Sequence, residues 1–401
     1  MRFLVTFFVL VFLQVSTACA FGDERFRNGD ERVTRGKNSP SFQSTNRTRR
    51  SAGAAKTSAG SATEINTSHG LSSPPAVNTA ERDIVLEGNR YFTESGLWHG
   101  PGACTEECRS WFVTADYLYL QPRRSALDFA IVDPNQNDFP EGPVESLEWG
   151  YDSGFRLRLV SRAPDHWQFG ATWSHLTSDS QRILTAPAGG KLWTTMTHPE
   201  VVEGAETALG LLDLDYDVLD IELGRRAVGN EVFALHLLGG VRLAWIDQMV
   251  SVLYDTQTPN AIVDANMARV LRRSDFNGVG LRVGGEGRRR LWGSLYLFGH
   301  SSTSLMIGYS ETLLMDTNDN GATVVANIRE SFSHVVPVID LGLGLGWQCG
   351  RWQFRAGYEL THWINLVNER DFIDDVNEGK TIRRLDDLSL DGLLLQLGVG
   401  W

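Results

Sequence analysis

Long apolar runs are missing from the sequence after its first twenty residues, where no stretch approaches the roughly 18 apolar residues of a membrane-spanning helix. This absence excludes a bundle of membrane helices. It does not exclude a membrane β-barrel, because only alternate residues of a barrel strand face lipid. Positively charged residues are also fewer than negatively charged ones, and the formal net charge is −12. We therefore expect no nucleic-acid partner.

Cysteines and recognisable catalytic motifs are equally sparse. The 401 residues contain 4 cysteines and no Gly-x-Ser-x-Gly, P-loop or His-Glu-x-x-His motif. The histidines are scattered over different segments, without the ligand spacing of a metal site. Ser174 and His175 are neighbours, but adjacent residues of a strand point to opposite faces and cannot act on each other as a dyad. We therefore expect no enzyme, no cofactor and no metal site.

The first segment has the organisation of a signal peptide. Arg2 supplies the positive start, residues 4–15 are mainly apolar, and Ala18 and Ala20 mark a small-residue cleavage site. We expect residues 1–20 to direct export through the inner membrane and to be cleaved off near Ala20.

Three cysteines remain after this cleavage: Cys104, Cys108 and Cys349. An exported chain enters an oxidising compartment, so a disulfide is expected. The favoured pairing is a local bond between Cys104 and Cys108, which would leave Cys349 free. A bond from Cys349 to either of the other two stays open as the alternative.

Residues 21–100 have a different composition from the rest of the chain. They are rich in Ser, Thr, Gly, Ala and Asn and lack hydrophobic periodicity up to about residue 80. Such a segment buries too little apolar surface to offset the entropy of ordering. We expect a disordered, low-complexity segment in the periplasm.

From Ser110 onward, apolar and polar residues alternate as they do in β-strands. In residues 393–401, for example, one parity is wholly apolar, and Phe155 and Leu157 alternate with Arg156 and Arg158. Such runs predict about ten strands (8–12), near 110–121, 148–162, 166–178, 213–228, 231–254, 272–287, 291–313, 328–348, 352–368 and 389–401.

Short and long connections alternate between these predicted strands. Outer-membrane barrels have short periplasmic turns and long external loops. We therefore expect an all-β fold, an antiparallel up-and-down transmembrane β-barrel over residues 101–401, with both chain ends in the periplasm. The short connections are 163–165, 229–230, 288–290 and 349–351, and the long ones are 122–147, 179–212, 255–271, 314–327 and 369–388.

Aromatic residues cluster near both ends of the predicted strands, as in the interfacial belts of membrane proteins. The chain also ends on Trp401, which we interpret as the signal read by the outer-membrane assembly machinery. The predicted periplasmic belt comprises Trp111, Trp167, Trp292, Trp347, Trp352 and Trp401, and the predicted outer belt comprises Tyr119, Tyr151, Tyr254, Tyr309 and Trp363.

Several blocks of the sequence resemble, in order, the strands of the Legionella-type major outer membrane protein family. They are WFVTADYLYL at 111–120, WGYDSGFRL at 149–157, LDYDVLDIELGR at 214–225, GGVRLAWIDQ at 239–248 and FNGVGLR at 276–282. The resemblance spans about 110–401 and implies an outer-membrane barrel that forms a pore.

The leading functional hypothesis is a pore for passive diffusion of small polar solutes. The alternative is a structural or adhesive barrel with a plugged lumen and ligand-binding external loops, since ten strands enclose only a narrow lumen. The expected partners are outer-membrane lipids, the assembly machinery and small polar solutes. The candidate lumen-lining residues are Arg156, Arg158, Asp220, Glu222, Arg242, Arg282, Glu286, Arg355 and Glu359.

Overall fold

A computed structural model describes residues 110–135, 139–163, 167–198, 204–230, 232–255, 267–318, 323–373 and 380–401. The signal peptide predicted at 1–20 and the disordered segment predicted at 21–100 lie outside these residues. No helix within the described ranges is long and apolar enough to cross a membrane.

Ten antiparallel strands close into a barrel, and each strand pairs with its neighbour in this series, the last with the first. This confirms the all-β, up-and-down barrel with ten strands in its wall. They are β1 (Ser110–Arg123), β4 (Asp152–Arg162), β5 (Trp167–Thr185), β8 (Thr207–Gly229), β9 (Phe233–Asp255), β10 (Met267–Trp292), β11 (Leu295–Asn318), β12 (Thr323–Cys349), β13 (Trp352–Phe372) and β14 (Thr381–Gly400).

Four shorter strands form a second sheet, which brings the described strands to fourteen rather than about ten. The order in this outer sheet is β3-β2-β6-β7. Its strands are β2 (Asp128–Asp133), β3 (Val144–Ser146), β6 (Lys191–Thr194) and β7 (Gly204–Ala205), and they belong to the two connections that the sequence predicted to be irregular loops, 122–147 and 179–212.

The barrel wall closes where the first strand meets the last. The Trp111 amide donates to the Trp401 carbonyl at 2.9 Å, and the Trp401 amide donates to the Trp111 carbonyl at 3.0 Å. A closed wall leaves no unpaired edge, which is what a sheet immersed in lipid requires.

The middle of the wall exposes apolar side chains, and belts of aromatic residues flank this apolar zone. Leu157 on β4, Leu281 on β10 and Leu393 on β14 are 45%, 72% and 54% exposed. Such a surface is suited to lipid contact rather than to water. The exposed tryptophan and tyrosine side chains of the described residues are Trp111, Trp167, Trp292, Trp352 and Trp401 toward one end and Tyr151, Trp173, Trp245, Tyr309 and Tyr358 toward the other.

The prediction of the outer aromatic belt is wrong for two of its members. Tyr254 and Trp363 are both 0% exposed and point into the barrel. The reason is an inversion of the pattern beyond the belt, where the wall rises out of the membrane. There the outward face becomes polar, as at Asp247, and the inward face becomes apolar, as at Val250 and Val252.

The same inversion explains why several strands are longer than predicted. β11 and β12 continue through most of the predicted loop 314–327. At the opposite end, Arg288 to Arg290 belong to β10, and the turn that follows centres on Gly293. The predicted strands required apolar residues on one parity. They therefore end too early where the strand continues with charged side chains that are paired with other residues.

The outer sheet packs against the inward-facing apolar residues of the barrel's outer end. Leu127, Phe129 and Leu192 of this region are at most 1% exposed. The Tyr254 hydroxyl donates to the Phe129 carbonyl. At about 25 cal/mol per Å² of buried apolar surface, each such side chain contributes about 2 kcal/mol. The outer end of the interior is therefore a hydrophobic core and not an open vestibule.

Candidate functional site

All nine candidate lumen residues lie on the inner face of the barrel. They sit on five strands, namely β4, β8, β9, β10 and β13, and line two adjoining cavities of about 100 and 50 Å³. Together with three residues that the sequence analysis did not select as candidates, they form what we call the ion-pair belt. Its members are the arginines Arg156, Arg158, Arg242, Arg282, Arg288 and Arg355 and the carboxylates Asp116, Asp220, Glu222, Glu286, Asp340 and Glu359.

One part of the belt surrounds Arg242 on β9. Its Nε lies 2.7 Å from Asp220 Oδ1, and its Nη1 lies 2.9 Å from Asp340 Oδ2. Arg282 on β10 adds contacts from Nη1 to Glu222 Oε1 at 2.8 Å and from Nη2 to Asp340 Oδ2 at 3.6 Å. Three carboxylates and two guanidinium groups thus neutralise one another in a buried cluster, because a buried charge without a partner is costly.

A second part lies on the periplasmic side of the first. Glu286 on β10 accepts hydrogen bonds from Arg288 Nε at 2.8 Å and from Arg355 Nη2 at 2.7 Å. Arg158 approaches Glu222 at 3.2 Å and Glu286 at 3.8 Å. Arg158, Glu222, Glu286 and Arg355 line both cavities, so their side chains stand between the two.

The glycine-rich parity of β12, which alternates with leucine, faces inward. A Cβ atom at Gly346 would come within 2.1 Å of the Tyr296 ring, and one at Gly342 within 2.1 Å of the His300 ring. These glycines therefore make room for aromatic rings from β11. The rings fill lumen volume that larger barrels leave to water.

A layer of aromatic residues follows the ion-pair belt on its outer side. The ring of Trp363 lies 6.1 Å from that of Tyr216 and 6.2 Å from that of Phe276, centroid to centroid. Edge-on aromatic contacts of this kind stabilise a packed core. The interior thus passes from a polar belt to an aromatic layer and then to the hydrophobic core beneath the outer sheet.

The outer sheet is also fastened to the barrel by buried polar contacts. The Asp316 carboxylate on β11 accepts a 2.7 Å hydrogen bond from the His198 amide. On the opposite side, Asp386 accepts from the Arg124 Nε at 3.1 Å and from the Ala126 amide at 2.9 Å. These contacts attach the segments that lead into and out of the sheet to β11 and β14.

The sequence contained a signal for the belt residues that were not among the nine candidates. Asp340 shares the parity of the inward glycines on β12, and Asp116 shares the inward parity of β1. Arg288 was placed in a turn, which hid its pairing with Glu286. No metal-binding group of three or more His, Cys, Asp or Glu residues occurs within the described part of the chain.

The structure corrects the predicted cysteine chemistry. Cys349 is disulfide-bonded, so the expectation that it stays free is wrong. Cys104 and Cys108 lie outside the described residues. Trp401 directly follows the last strand and is 59% exposed, and its role as an assembly signal stays a prediction.

Comparison with known proteins finds a matching family model and several similar solved structures. A family model described as Legionella pneumophila major outer membrane protein precursor matches residues 103–400. No curated protein matches. Among solved structures, the chain is similar to the outer membrane protease OMPT from Escherichia coli, with 11% identity, a TM-score of 0.41 and coverage of 73% of this chain and 96% of that chain.

Two further solved structures are similar at comparable identity. A Pseudomonas aeruginosa FadL homologue has 12% identity and a TM-score of 0.28, and 73% of this chain and 90% of that chain are covered. A major outer membrane protein from Thermus thermophilus has 11% identity and a TM-score of 0.26, and 74% of this chain and 100% of that chain are covered.

Proposed function

The chain belongs to the Legionella pneumophila major outer membrane protein family, and we propose that it serves the outer membrane as a structural or adhesive barrel with a closed lumen. The observation that carries this proposal is the ion-pair belt. Its six arginines and six carboxylates bridge the lumen from wall to wall. The alternative in which the charges pair and plug a narrow barrel is therefore the better supported of the two hypotheses.

The size of the cavities supports closure to solutes. A water molecule occupies about 30 Å³ of the liquid, so cavities of about 100 and 50 Å³ hold a few waters and no hydrated sugar or amino acid. The outer sheet and the hydrophobic core beneath it add a second barrier. Passage would require both layers to rearrange.

The outer sheet is the surface that this proposal assigns to binding. Phe139 and Val144 are 59% and 55% exposed on the connection that carries β3. Exposed apolar side chains on the outer region of an envelope protein are suited to contact with another macromolecule. Replacing both with serine should reduce attachment of cells that display the protein, without changing the amount of folded barrel.

Planar bilayers test closure directly. Folded protein should give no discrete conductance steps, and regular single-channel steps from the unmodified chain would overturn the closed-lumen proposal. Liposomes that carry the protein should likewise swell no faster than empty liposomes in an isotonic solution of a small sugar.

A pore for small polar solutes is the second candidate. The observation that favours it is that the two cavities are separated by charged side chains and not by backbone. Rotation of a few arginines would join them. This candidate requires that the outer sheet also withdraw, so it predicts conductance that appears only after the sheet is displaced.

A further inference from the structure

Three polar residues on the outer wall of the barrel are linked in series where β13 meets β14. Ser389 Oγ lies 2.7 Å from His362 Nδ1, and His362 Nε2 lies 3.4 Å from Asp387 Oδ2. The side chains of His362 and Asp387 are 33% and 44% exposed. The order hydroxyl, imidazole, carboxylate is the one that activates a serine nucleophile.

The backbone is shaped so that these side chains meet. His362 and Ser389 stand opposite each other in the register, which then shifts between Trp363 and Val367. Within this bulge, Asn365 has a φ of 54°, and its amide donates a 2.7 Å hydrogen bond to Asp387 Oδ1. Left-handed backbone at a non-glycine residue costs about 1 kcal/mol or more, and bulges often re-aim side chains beside active sites.

The site lies just beyond the outer aromatic belt. On β14, the exposed Leu393 is followed outward by Asp391, which accepts a hydrogen bond from the Tyr358 hydroxyl. Ser389 is two residues further along, or about 7 Å at the usual rise of a strand. Aromatic belts mark the depth of the lipid headgroups. Ser389 is therefore at the depth where the ester bonds of outer-leaflet lipids meet water.

A cation stands next to the serine. Arg123 on β1 is opposite Ser389 in the register, and its Nε donates to Asp391 Oδ1 at 2.6 Å. Its guanidinium presents N–H groups on the wall, where the side chain is 55% exposed. Such a group is suited to stabilising an oxyanion or to binding a lipid phosphate.

We propose that Ser389, His362 and Asp387 form a hydrolase site for the ester-linked acyl chains of outer-leaflet lipids. Ser389 is the nucleophile and His362 the general base, while Asp387 is a positioning residue that keeps the imidazole proton on Nε2. This activity goes beyond the proposed structural role and does not depend on whether the lumen is closed. It also departs from the sequence-based expectation that the chain is not an enzyme.

The reaction needs only water as a co-substrate. Ser389 Oγ attacks the ester carbonyl carbon and gives its proton to His362 Nδ1, forming the oxyanion beside Arg123. The bond to the alcohol oxygen breaks as that oxygen takes the proton from His362, which leaves an acyl group on Ser389. Water then attacks the acyl carbonyl through the same base, releasing the fatty acid and restoring the serine.

The test uses the folded full-length chain in vesicles. Release of free fatty acid is measured from phosphatidylethanolamine vesicles and, separately, from vesicles that contain lipopolysaccharide. Release from the first identifies a glycerophospholipid ester as substrate, and release from the second identifies a lipid A ester. Ser389→Ala should lower the rate at least about 100-fold. Asp387→Asn should lower kcat with little change in KM, and it should alter the pH profile of kcat.

A matched control is present on the same wall. His175 and Asp217 form a half-exposed pair at 3.0 Å, with Trp173 and Thr177 flanking His175 on its strand, and no serine of the described ranges hydrogen-bonds to this histidine. His175→Ala should leave the rate unchanged.

A fluorophosphonate probe supplies a readout that does not depend on the substrate. It should add its mass to the peptide that contains Ser389 and to no peptide of the Ser389→Ala variant. Heat-modifiable gel mobility verifies that each variant is folded. Absence of fatty-acid release in both vesicle types, or a folded Ser389→Ala variant as active as the parent, would overturn the proposal.

Discussion

Arg156 on β4 and Glu359 on β13 are 203 residues apart in the chain and meet inside the barrel through two parallel hydrogen bonds. Nη1 lies 2.8 Å from Oε2, and Nη2 lies 2.9 Å from Oε1. This two-pronged geometry is the strongest form of an arginine–carboxylate pair. It joins strands that are not neighbours in the wall, so it braces the lumen as well as filling it.

Removing this brace should open a path for ions if side chains alone close the ion-pair belt. Glu359→Gln leaves Arg156 with Asp116, 3.9 Å away, and should destabilise the barrel by about 3 kcal/mol because it leaves a buried charge poorly paired. Combined replacement of Arg156 and Glu359 by alanine should be less destabilising. It should also allow small conductance steps once the outer sheet is displaced. Urea unfolding and bilayer recording check the two expectations.

An exposed ion pair on β10 provides the control. Arg273 and Asp275 lie 2.8 Å apart on the outside of the barrel, and Arg273→Ala should change stability by less than about 1 kcal/mol. If Arg273→Ala lowers the free energy of unfolding as much as Glu359→Gln does, burial of the Arg156–Glu359 pair does not explain the loss of stability.

The topology predicts which turns antibodies can reach on intact cells. Gly189 and Gly293 both have a positive φ and open space around the Cβ position, so both turns accept an inserted tag. A tag after Gly189 should be accessible from outside, because it lies in a long connection. A tag after Gly293 should be reached only after the outer membrane is permeabilised. Labelling of the Gly293 tag on intact cells would invert the assignment of the two ends.

The disulfide at Cys349 should link the periplasmic end of the barrel to the segment before the first strand. Cys104 and Cys108 precede β1, whereas Cys19 is expected to leave with the signal peptide. Non-reducing peptide mapping of the mature protein should therefore join the Cys349 peptide to one that contains Cys104 or Cys108. A free thiol at Cys349 in freshly isolated protein would contradict this.

The outer sheet should loosen in acid. Asp133 on β2 accepts a 2.8 Å hydrogen bond from the Trp193 indole, which lowers the pKa of this carboxyl below its ordinary value of 3.8. A carboxyl group whose pKa is lower in the folded state than in the unfolded state stabilises the fold at pH values above its unfolded-state pKa. This stabilisation is lost as the pH falls through the folded-state pKa. Asp133→Asn should thus expose Trp193 to fluorescence quenchers at pH 7, with little further effect below pH 3. Equal effects at both pH values would show that charge is not involved.

The last residue should matter for assembly more than for stability. Trp401 makes backbone hydrogen bonds with Trp111, which any residue can provide, but its exposed ring is available to the assembly machinery. Trp401→Ala should lower the amount of folded protein in the outer membrane of cells. Refolding of the purified chain in detergent should be nearly unaffected. Similar losses in both settings would indicate a structural role.

The sequence by itself determined the strand pattern and which face of each strand is apolar within the membrane. Phe155 and Leu157 alternate with Arg156 and Arg158, and this period of two is a local property that any lipid-spanning strand must show. The alternation of short and long connections likewise fixed the up-and-down order. Both features depend only on residues close together in the chain.

The tertiary structure decided which distant side chains meet. The pairing of Arg156 with Glu359 depends on barrel closure, and the contact between His362 and Asp387 depends on a bulge that shifts the register. The inward turn of Tyr254 and Trp363 depends on the height at which the wall leaves the lipid and on the outer sheet that covers it. Local periodicity carries no information about these relationships, because the register between strands and the packing across a lumen are set by the whole closed wall.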